Sequence, residues 1–264
     1  MNGIILAAGQ GTRLMPLTEK KPKCMVEIFG KSMIERQIEI FRNCGIDDIS
    51  IVTGYQSEMI DFPGINFFHN EQFATTNMLE TLFCAREKLS DSVIISYGDI
   101  IFEKPILQKL INVEDKIAVI VDYNWKKLWE LRFENILDDA ESMKIDDMGF
   151  IQNLGEKVED VNEIGGQYIG LMKFSDEGLT AMIEMYDKAR LISKSGRNLL
   201  NKDMPFEKSY MTDFLQAIIN SGTKVKSIPI QGGWLEIDTF TDYQKYNELY
   251  NNNKISDFIN TKEI

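Results

Sequence analysis

The chain is poor in the residues that most often carry enzyme chemistry. It holds one histidine, His69, and three cysteines, Cys24, Cys44 and Cys84, with no C-x-x-C pair. Zinc sites built on two or three histidines are therefore excluded, and so are sites that need paired cysteines. A Ser-His-Asp triad could draw only on His69, and no G-x-S-x-G turn supplies its serine. Isolated cysteines in odd number suit a reducing cytoplasm, where each packs as a small apolar residue. No apolar run approaches the roughly 18 residues of a membrane span. The opening MNGIILAAGQG has no basic region ahead of a long apolar stretch, so no signal peptide is expected and the location expected is cytoplasmic. Positive charge is short as well: 29 Lys and Arg face 41 Asp and Glu, a net charge of −12. Nucleic acids and anionic membrane surfaces both select a basic footprint, so neither is expected as a partner. Chemistry must then come from carboxylates, lysine, arginine and backbone amides.

Apolar residues are plentiful, 44% of 264, and the acidic residues are spread among them rather than replacing them. That composition predicts a packed core and excludes global disorder. GIILAA (3–8) reads as a strand buried on both faces, ending in the turn Gly9-Gln10-Gly11. Helical spacing follows at Ile34, Ile38 and Phe41, with Gly45 where a helix would stop. Strand-like runs at 48–54, 65–70, 93–99 and 117–123 alternate with a helical stretch at 77–89. This alternation predicts an α/β layered fold with a mostly parallel sheet. Residues 124–166 change texture, with dense charge and two tryptophans, and read as a lobe inserted over one edge of the sheet. A strand (167–174), a helix (176–190), a polar stretch that reads as a mobile loop (193–209), a helix (210–221), two strands (224–230, 233–238) and terminal helices complete the pattern.

The strongest chemical signal is the N-terminal segment. Glycines directly after a buried strand leave backbone N–H groups open to a phosphate and let it approach closely. Arg13 adds a forked cation and Lys23 a compact one. Over residues 10–32, five cations (Arg13, Lys20, Lys21, Lys23, Lys31) face two acids (Glu19, Glu27), a local +3 in an acidic chain. The glycines alone would also fit an ordinary strand-turn with a solvated basic loop. They match neither the dinucleotide nor the Walker pattern.

Taken whole, LAAGQGTRL (6–14) followed by PKCMVEI (22–28), with Lys23 ten residues after Arg13, resembles the signature of the sugar-phosphate nucleotidyltransferase superfamily, and the resemblance extends along nearly the whole chain. It implies one Rossmann-like, GT-A-like three-layer α/β/α nucleotidyltransferase domain over 1–264, with the 124–166 lobe on the acceptor side. By the same resemblance, Leu6, Ala7, Ala8, Gly9, Gly11 and Thr12 would bind the nucleotide, and Arg13 and Lys23 would be catalytic. Asp99, at the end of a buried strand, and Asp238, in GWLEIDTFTDY, would hold Mg2+. Two carboxylates plus phosphate oxygens suit that ion. NLGEK resembles the segment whose lysine contacts the acceptor phosphate, which points to Lys157, with Val158 where the family has proline.

Residues 70–86, NEQFATTNMLETLFCAR, and the tract YMTDFLQ (210–216) resemble the cytidylyltransferases of phosphocholine, 2-aminoethylphosphonate and similar acceptors. Asn70, Phe73, Asn77, Leu82 and Ala85 match, and Thr81 replaces a serine. Asn77 could cap a helix or help position the nucleotide. The implied reaction is Mg2+-dependent transfer of CMP from CTP to a small phosphorylated acceptor of the phosphocholine, phosphonate or phosphoglutamine class, releasing pyrophosphate. Such products feed the building of cell-surface polysaccharides. Trp125 and Trp129, four apart, could form an aromatic face that holds an amine beside Asp122, Glu141 or Asp213, or could pack the lobe onto the sheet or onto the second subunit of a homodimer. Two rivals stay open: a sugar-1-phosphate uridylyl- or thymidylyltransferase, and a catalytically silent nucleotide-binding regulator.

Overall fold

The computed structural model describes residues 1–264. In chain order the elements are β1 (Asn2–Ala7), the short hairpin β2 (Glu27–Ile28) and β3 (Lys31–Ser32), α1 (Met33–Asn43), β4 (Ile49–Thr53), β5 (Asn66–His69) and α2 (Met78–Cys84). Then come β6 (Ser92–Tyr97), β7 (Ile100–Phe102), α3 (Lys104–Ile111), β8 (Ile117–Asp122), α4 (Trp125–Arg132), β9 (Glu141–Ile145) and β10 (Ile151–Lys157). The chain continues through β11 (Gln167–Ser175), α5 (Asp176–Ser193), α6 (Met211–Asn220), β12 (Lys226–Ile230), β13 (Trp234–Glu236) and α7 (Phe240–Asn251).

Seven strands form the central sheet in the order β12-β8-β11-β6-β1-β4-β5. Only β11 runs antiparallel to its neighbours; the other pairs are parallel. Every residue of β1 is buried because helices cover both faces of the sheet. Ile34, Ile38 and Phe41 of α1, Leu107 of α3, Trp125 of α4 and Tyr246 of α7 fill one face. Leu82 of α2, Met182 of α5 and Phe214 of α6 fill the other. The mostly parallel, three-layer α/β/α arrangement is the one the alternation predicts.

Two expectations change. The helical spacing through residues 77–89 is realised as a helix only to Cys84, after which Ala85 leaves helical geometry and a 3₁₀ turn runs over Arg86–Lys88. Ala85 and Leu89 are nevertheless buried, so the periodicity reported the inward face and not the type of turn. The stretch 193–209, mobile by composition, is tied down by its own amides. The Asn198 side chain donates to the Met204 carbonyl at 3.1 Å and to Ser209 Oγ at 2.8 Å, and Asn201 Nδ2 donates to Asp213 Oδ1 at 2.9 Å.

Residues 124–166 hold α4, which packs into the first core, and the antiparallel pair β9–β10. Phe150 bridges to Lys226 at the start of the edge strand β12. These pieces stand beyond the carboxyl end of β8 and the amino end of the antiparallel β11, on the side of the sheet where open α/β folds bind their ligands.

Candidate active site

The carboxyl end of β1 runs into a cavity of about 130 Å³ lined by Leu6, Ala7, Ala8, Gly9, Lys23, Phe73, Asn77, Thr81 and Asp99, among others. A side chain at Gly9 would meet no protein atom within 4 Å, so the missing side chain leaves the strand end open toward the cavity. Gly11 adopts a left-handed conformation (φ 68°), and a Cβ there would lie 2.8 Å from Lys23 Cβ. The glycine therefore lets the Lys23 stem lie against the loop and fixes its direction. Asn77 caps α2 by accepting from Met78 N at 2.8 Å, and its Nδ2 donates to the Lys208 carbonyl at 3.2 Å. Asn77 is thus a helix cap that also lines the cavity. Asn70, buried behind it, donates to Thr76 Oγ1 and Thr81 Oγ1, each at 2.9 Å.

Four charges meet at the edge of this cavity. Lys23 Nζ lies 2.7 Å from Asp99 Oδ2 and 2.7 Å from Asp238 Oδ1, and Arg13 Nη2 lies 2.5 Å from Asp238 Oδ2. The two aspartates, far apart in sequence, are brought together by a short ladder: β7 pairs antiparallel with β13, and Ile237 N donates to the Asp99 carbonyl at 3.0 Å. Gln37, fully buried on α1, braces the Asp99 turn by donating to the Tyr97 and Ile100 carbonyls at 2.8 and 2.7 Å. Burial works against the Lys23 ammonium, but Asp99 and Asp238 outweigh it and hold its pKa above the ordinary lysine range. For Asp238 burial pushes upward, yet Lys23 and Arg13 prevail and hold the carboxyl below its ordinary value.

The donor set fits a divalent cation. Asp99 Oδ1 is buried and has no partner in the protein, although Oδ2 is engaged. Hard carboxylate oxygens with one such free position suit Mg2+, which binds few protein groups and completes its shell with water and phosphate. No three His, Cys, Asp or Glu side chains converge on one point, so the protein offers two carboxylates rather than a closed cage.

A second cavity, about 180 Å³, lies beyond this cluster, with Glu236 of its wall close enough to feel the charges of Asp99, Asp238 and Lys23. Tyr97, Trp129, Tyr168, Tyr210 and Trp234 line it together with Asp139, Glu141 and Glu236, and no lysine or arginine does. Burial first, then the charges of Asp139, Asp213 and Glu236, push the Glu141 carboxyl up to about 7. Aromatic faces beside carboxylates are a chemistry that can receive a positively charged group.

The structure distributes the sequence-derived residues unevenly. Leu6, Ala7, Ala8, Gly9, Lys23, Asn77 and Asp99 line the first cavity, and Arg13 and Asp238 stand at its rim. Gly11 and Thr12 do not line it; they shape the turn, with the Gly11 carbonyl accepting from Thr18 Oγ1 at 2.7 Å. Glu141 lines the second cavity. Trp125 does not: it is 2% exposed in the core, set edge-on to Trp129 at 5.8 Å, because α4 turns that position toward the sheet and Trp129 toward the opening. Asp122 is also committed elsewhere, accepting from Asn124 N, Gly232 N and Trp234 Nε1 at 2.8 to 3.0 Å. Asp213 closes the first turn of α6 through Tyr210 N and acts on Glu141 through its charge. Lys157, exposed at the end of β10, lines neither cavity.

Sequence reasoning did not single out Tyr97, Asp139, Tyr168, Tyr210 or Glu236. Glu236 carried a signal in its place two residues before Asp238, and Tyr210 in opening the YMTDFLQ tract; the others come from separated elements with no shared spacing.

The MobA-like NTP transferase domain family matches residues 3–142. The CTP:phosphoglutamine cytidylyltransferase of Campylobacter jejuni is 41% identical over 255 residues, covering 92% of this chain and 98% of that protein. The choline-phosphate cytidylyltransferase of Streptococcus pneumoniae is 39% identical over 107 residues, 39% of this chain and 47% of that protein. Among solved structures, the CTP:phosphocholine cytidylyltransferase from Streptococcus pneumoniae superposes with a TM-score of 0.72 at 24% identity, covering 94% of this chain and 98% of that one, and so shares its fold. A glycine turn at the end of β1, two cations and two aspartates around one cavity, and a relative matched over nearly its whole length converge on one assignment: the chain is a nucleotidyltransferase of the MobA-like NTP transferase domain family.

Proposed function

We propose that the chain transfers CMP from CTP to the phosphate or phosphonate of a small metabolite whose other end carries a positive charge, releasing pyrophosphate. The observation that carries this reading is the placement of one charge cluster, Lys23, Arg13, Asp99 and Asp238, between a small cavity at the end of β1 and an aromatic, acidic cavity beyond it. The choice of CTP is supported by the phosphoglutamine and choline-phosphate cytidylyltransferases that the sequence resembles.

Little covalent chemistry is asked of the protein. An acceptor oxygen, already ionised near neutral pH, attacks the α-phosphorus in line; a P–O bond forms and pyrophosphate leaves with the electron pair of the bond that breaks. Backbone amides around Ala7–Gly11 and the Asn77 side chain hold base and phosphates. Lys23 moves from its carboxylates to the α-phosphate and the attacking oxygen, and Arg13, whose side chain is 66% exposed, swings to the leaving phosphates. Both cations offset charge that grows in the transition state. Asp99 and Asp238 would hold Mg2+, which when bound supplies charge neutralisation at the phosphate oxygens. The 124–166 lobe borders the acceptor side, where Trp129 and Glu141 meet the cationic end of the acceptor. Three free cysteines suit a cytoplasmic enzyme.

The test is pyrophosphate release with each of the four NTPs, Mg2+ and a panel of phosphorylated small molecules, with Asp99→Asn beside the native chain. CTP with a phosphorylated amine is expected to give the highest turnover, and Asp99→Asn to remove it with the fold intact. Preference for UTP with a sugar 1-phosphate, or full activity in Asp99→Asn, would overturn the reading.

A further inference from the structure

Arg132, the last residue of α4, is among the most deeply buried cations of the chain, with a side chain only 1% exposed. Its Nη1 pairs with Glu236 Oε2 at 2.5 Å and its Nε donates to Asp242 Oδ1 at 3.3 Å, while Nη2 has no protein partner. As a stabilising device this is poor, since burying three charges with one donor unpaired is costly and an apolar packing of equal volume would do better. Its position suggests another purpose.

The two acids that Arg132 grips bracket the turn carrying Asp238. Glu236 ends β13, and Asp242 Oδ2 accepts from Asp238 N at 3.2 Å and from Thr239 N at 2.8 Å. The same guanidinium lies over the Trp129 ring at 5.4 Å and the Phe133 ring at 4.9 Å. Trp129 and Glu236 both line the aromatic cavity. One forked cation thus touches the wall of the acceptor cavity and both ends of the turn that presents Asp238.

We propose that Arg132 is a positioning residue that locks the Asp238 turn and the Trp129 wall into a single arrangement, so that metal binding and acceptor binding depend on each other. The proposal rests on the reading of Asp99 and Asp238 as the metal carboxylates. A lysine at this place would keep the charge but could not span Glu236 and Asp242, because an ammonium is a point and not a fork.

The experiment compares the native chain with Arg132→Lys and, should that variant fail to fold, Asp242→Asn. Asp242→Asn keeps an oxygen for the Asp238 and Thr239 amides but loses the ion pair. Leu179→Ala, in the core on the far face of the sheet, serves as a destabilised control. Mn2+ is titrated in the presence of CTP without acceptor, the free ion being read by electron paramagnetic resonance, and acceptor KM is measured separately. In folded Arg132→Lys, Mn2+ affinity is expected to fall by roughly 10-fold, as loss of a group orienting a metal ligand does. Acceptor KM is expected to rise together with it, and neither quantity should move in Leu179→Ala. Unchanged affinity and KM in both positioning variants, or equal shifts in the control, would overturn the proposal while leaving the metal assignment standing. Absence of Mn2+ uptake by the native chain with CTP would overturn the metal assignment and this proposal with it.

Discussion

The two cavities are built in opposite ways. The one at the end of β1 draws most of its wall from two continuous segments, residues 6–24 and 73–81, and is shaped by backbone, glycine and small side chains. The other takes its wall from β6, α4, β9, β11, α6 and β13, and is shaped by rings and carboxylates. A nucleotide offers the same phosphates whatever the acceptor, and phosphates are well met by amides and a few cations at a strand end. Acceptors differ, and a site assembled from many elements can change one wall without disturbing the other.

Substitutions can break this division of labour, and the largest effect is expected at the cluster between the cavities. Lys23→Ala should lower kcat by about 10²–10³-fold, the cost of losing one preorganised charge contact; steady-state pyrophosphate release checks it, with near-UV circular dichroism to show that the fold persists. Next come the two tryptophans, one turn apart. Trp129→Ala should raise acceptor KM by about 10-fold and leave CTP KM within twofold, as loss of an aromatic contact of about 1–2 kcal/mol would. Trp125→Ala should instead cost about 3–5 kcal/mol of stability in denaturant unfolding. If both substitutions act alike on acceptor KM, the lobe is not divided as described.

The acid in the second cavity gives a pH test. Glu141 titrates at about 7, above the ordinary 4.5, so it is neutral below that pH and becomes an anion above it. Inhibition by choline, a cation with no phosphate to titrate, should therefore strengthen several-fold between pH 6 and 8, and less so in Glu141→Gln, where Glu236 of the same cavity, pushed up to about 7 mainly by burial, supplies the remaining change. Folding carries the opposite sign: ionising a buried acid whose pKa is raised in the folded state costs stability, so melting temperature should fall as pH rises from 4.5 through 7, with a smaller slope in Glu141→Gln. The smallest effect is expected at Asn77→Ala, about 1 kcal/mol of stability from the lost cap, with CTP KM raised a few-fold and acceptor KM unmoved.

Legibility followed the same division. Strand β1, its glycine turn, Arg13 and Lys23 lie within one stretch of 23 residues, so the family resemblance could be read there as one continuous motif. Asp99 and Asp238 were legible only through resemblance, because the ladder that joins them pairs strands far apart in the chain. Trp125 and Trp129 share a spacing that promised one face, yet both rings are buried in the core and only Trp129 reaches the wall of the second cavity. Helical period tells which residues neighbour each other on a helix, not how the helix is rolled.

The sequence by itself determined that zinc sites of two or three histidines and C-x-x-C pairs are excluded, that the core is a layered α/β one, and that a glycine turn follows the first strand. These are local properties, set by residue inventory, periodicity and glycine. Only the tertiary structure decided which acids meet Lys23, that Arg132 grips the turn behind one of them, and that five aromatic rings and three carboxylates enclose a space without a cation. Those are contacts between elements distant in the chain, fixed by sheet order and helix packing, and no spacing along the sequence encodes them.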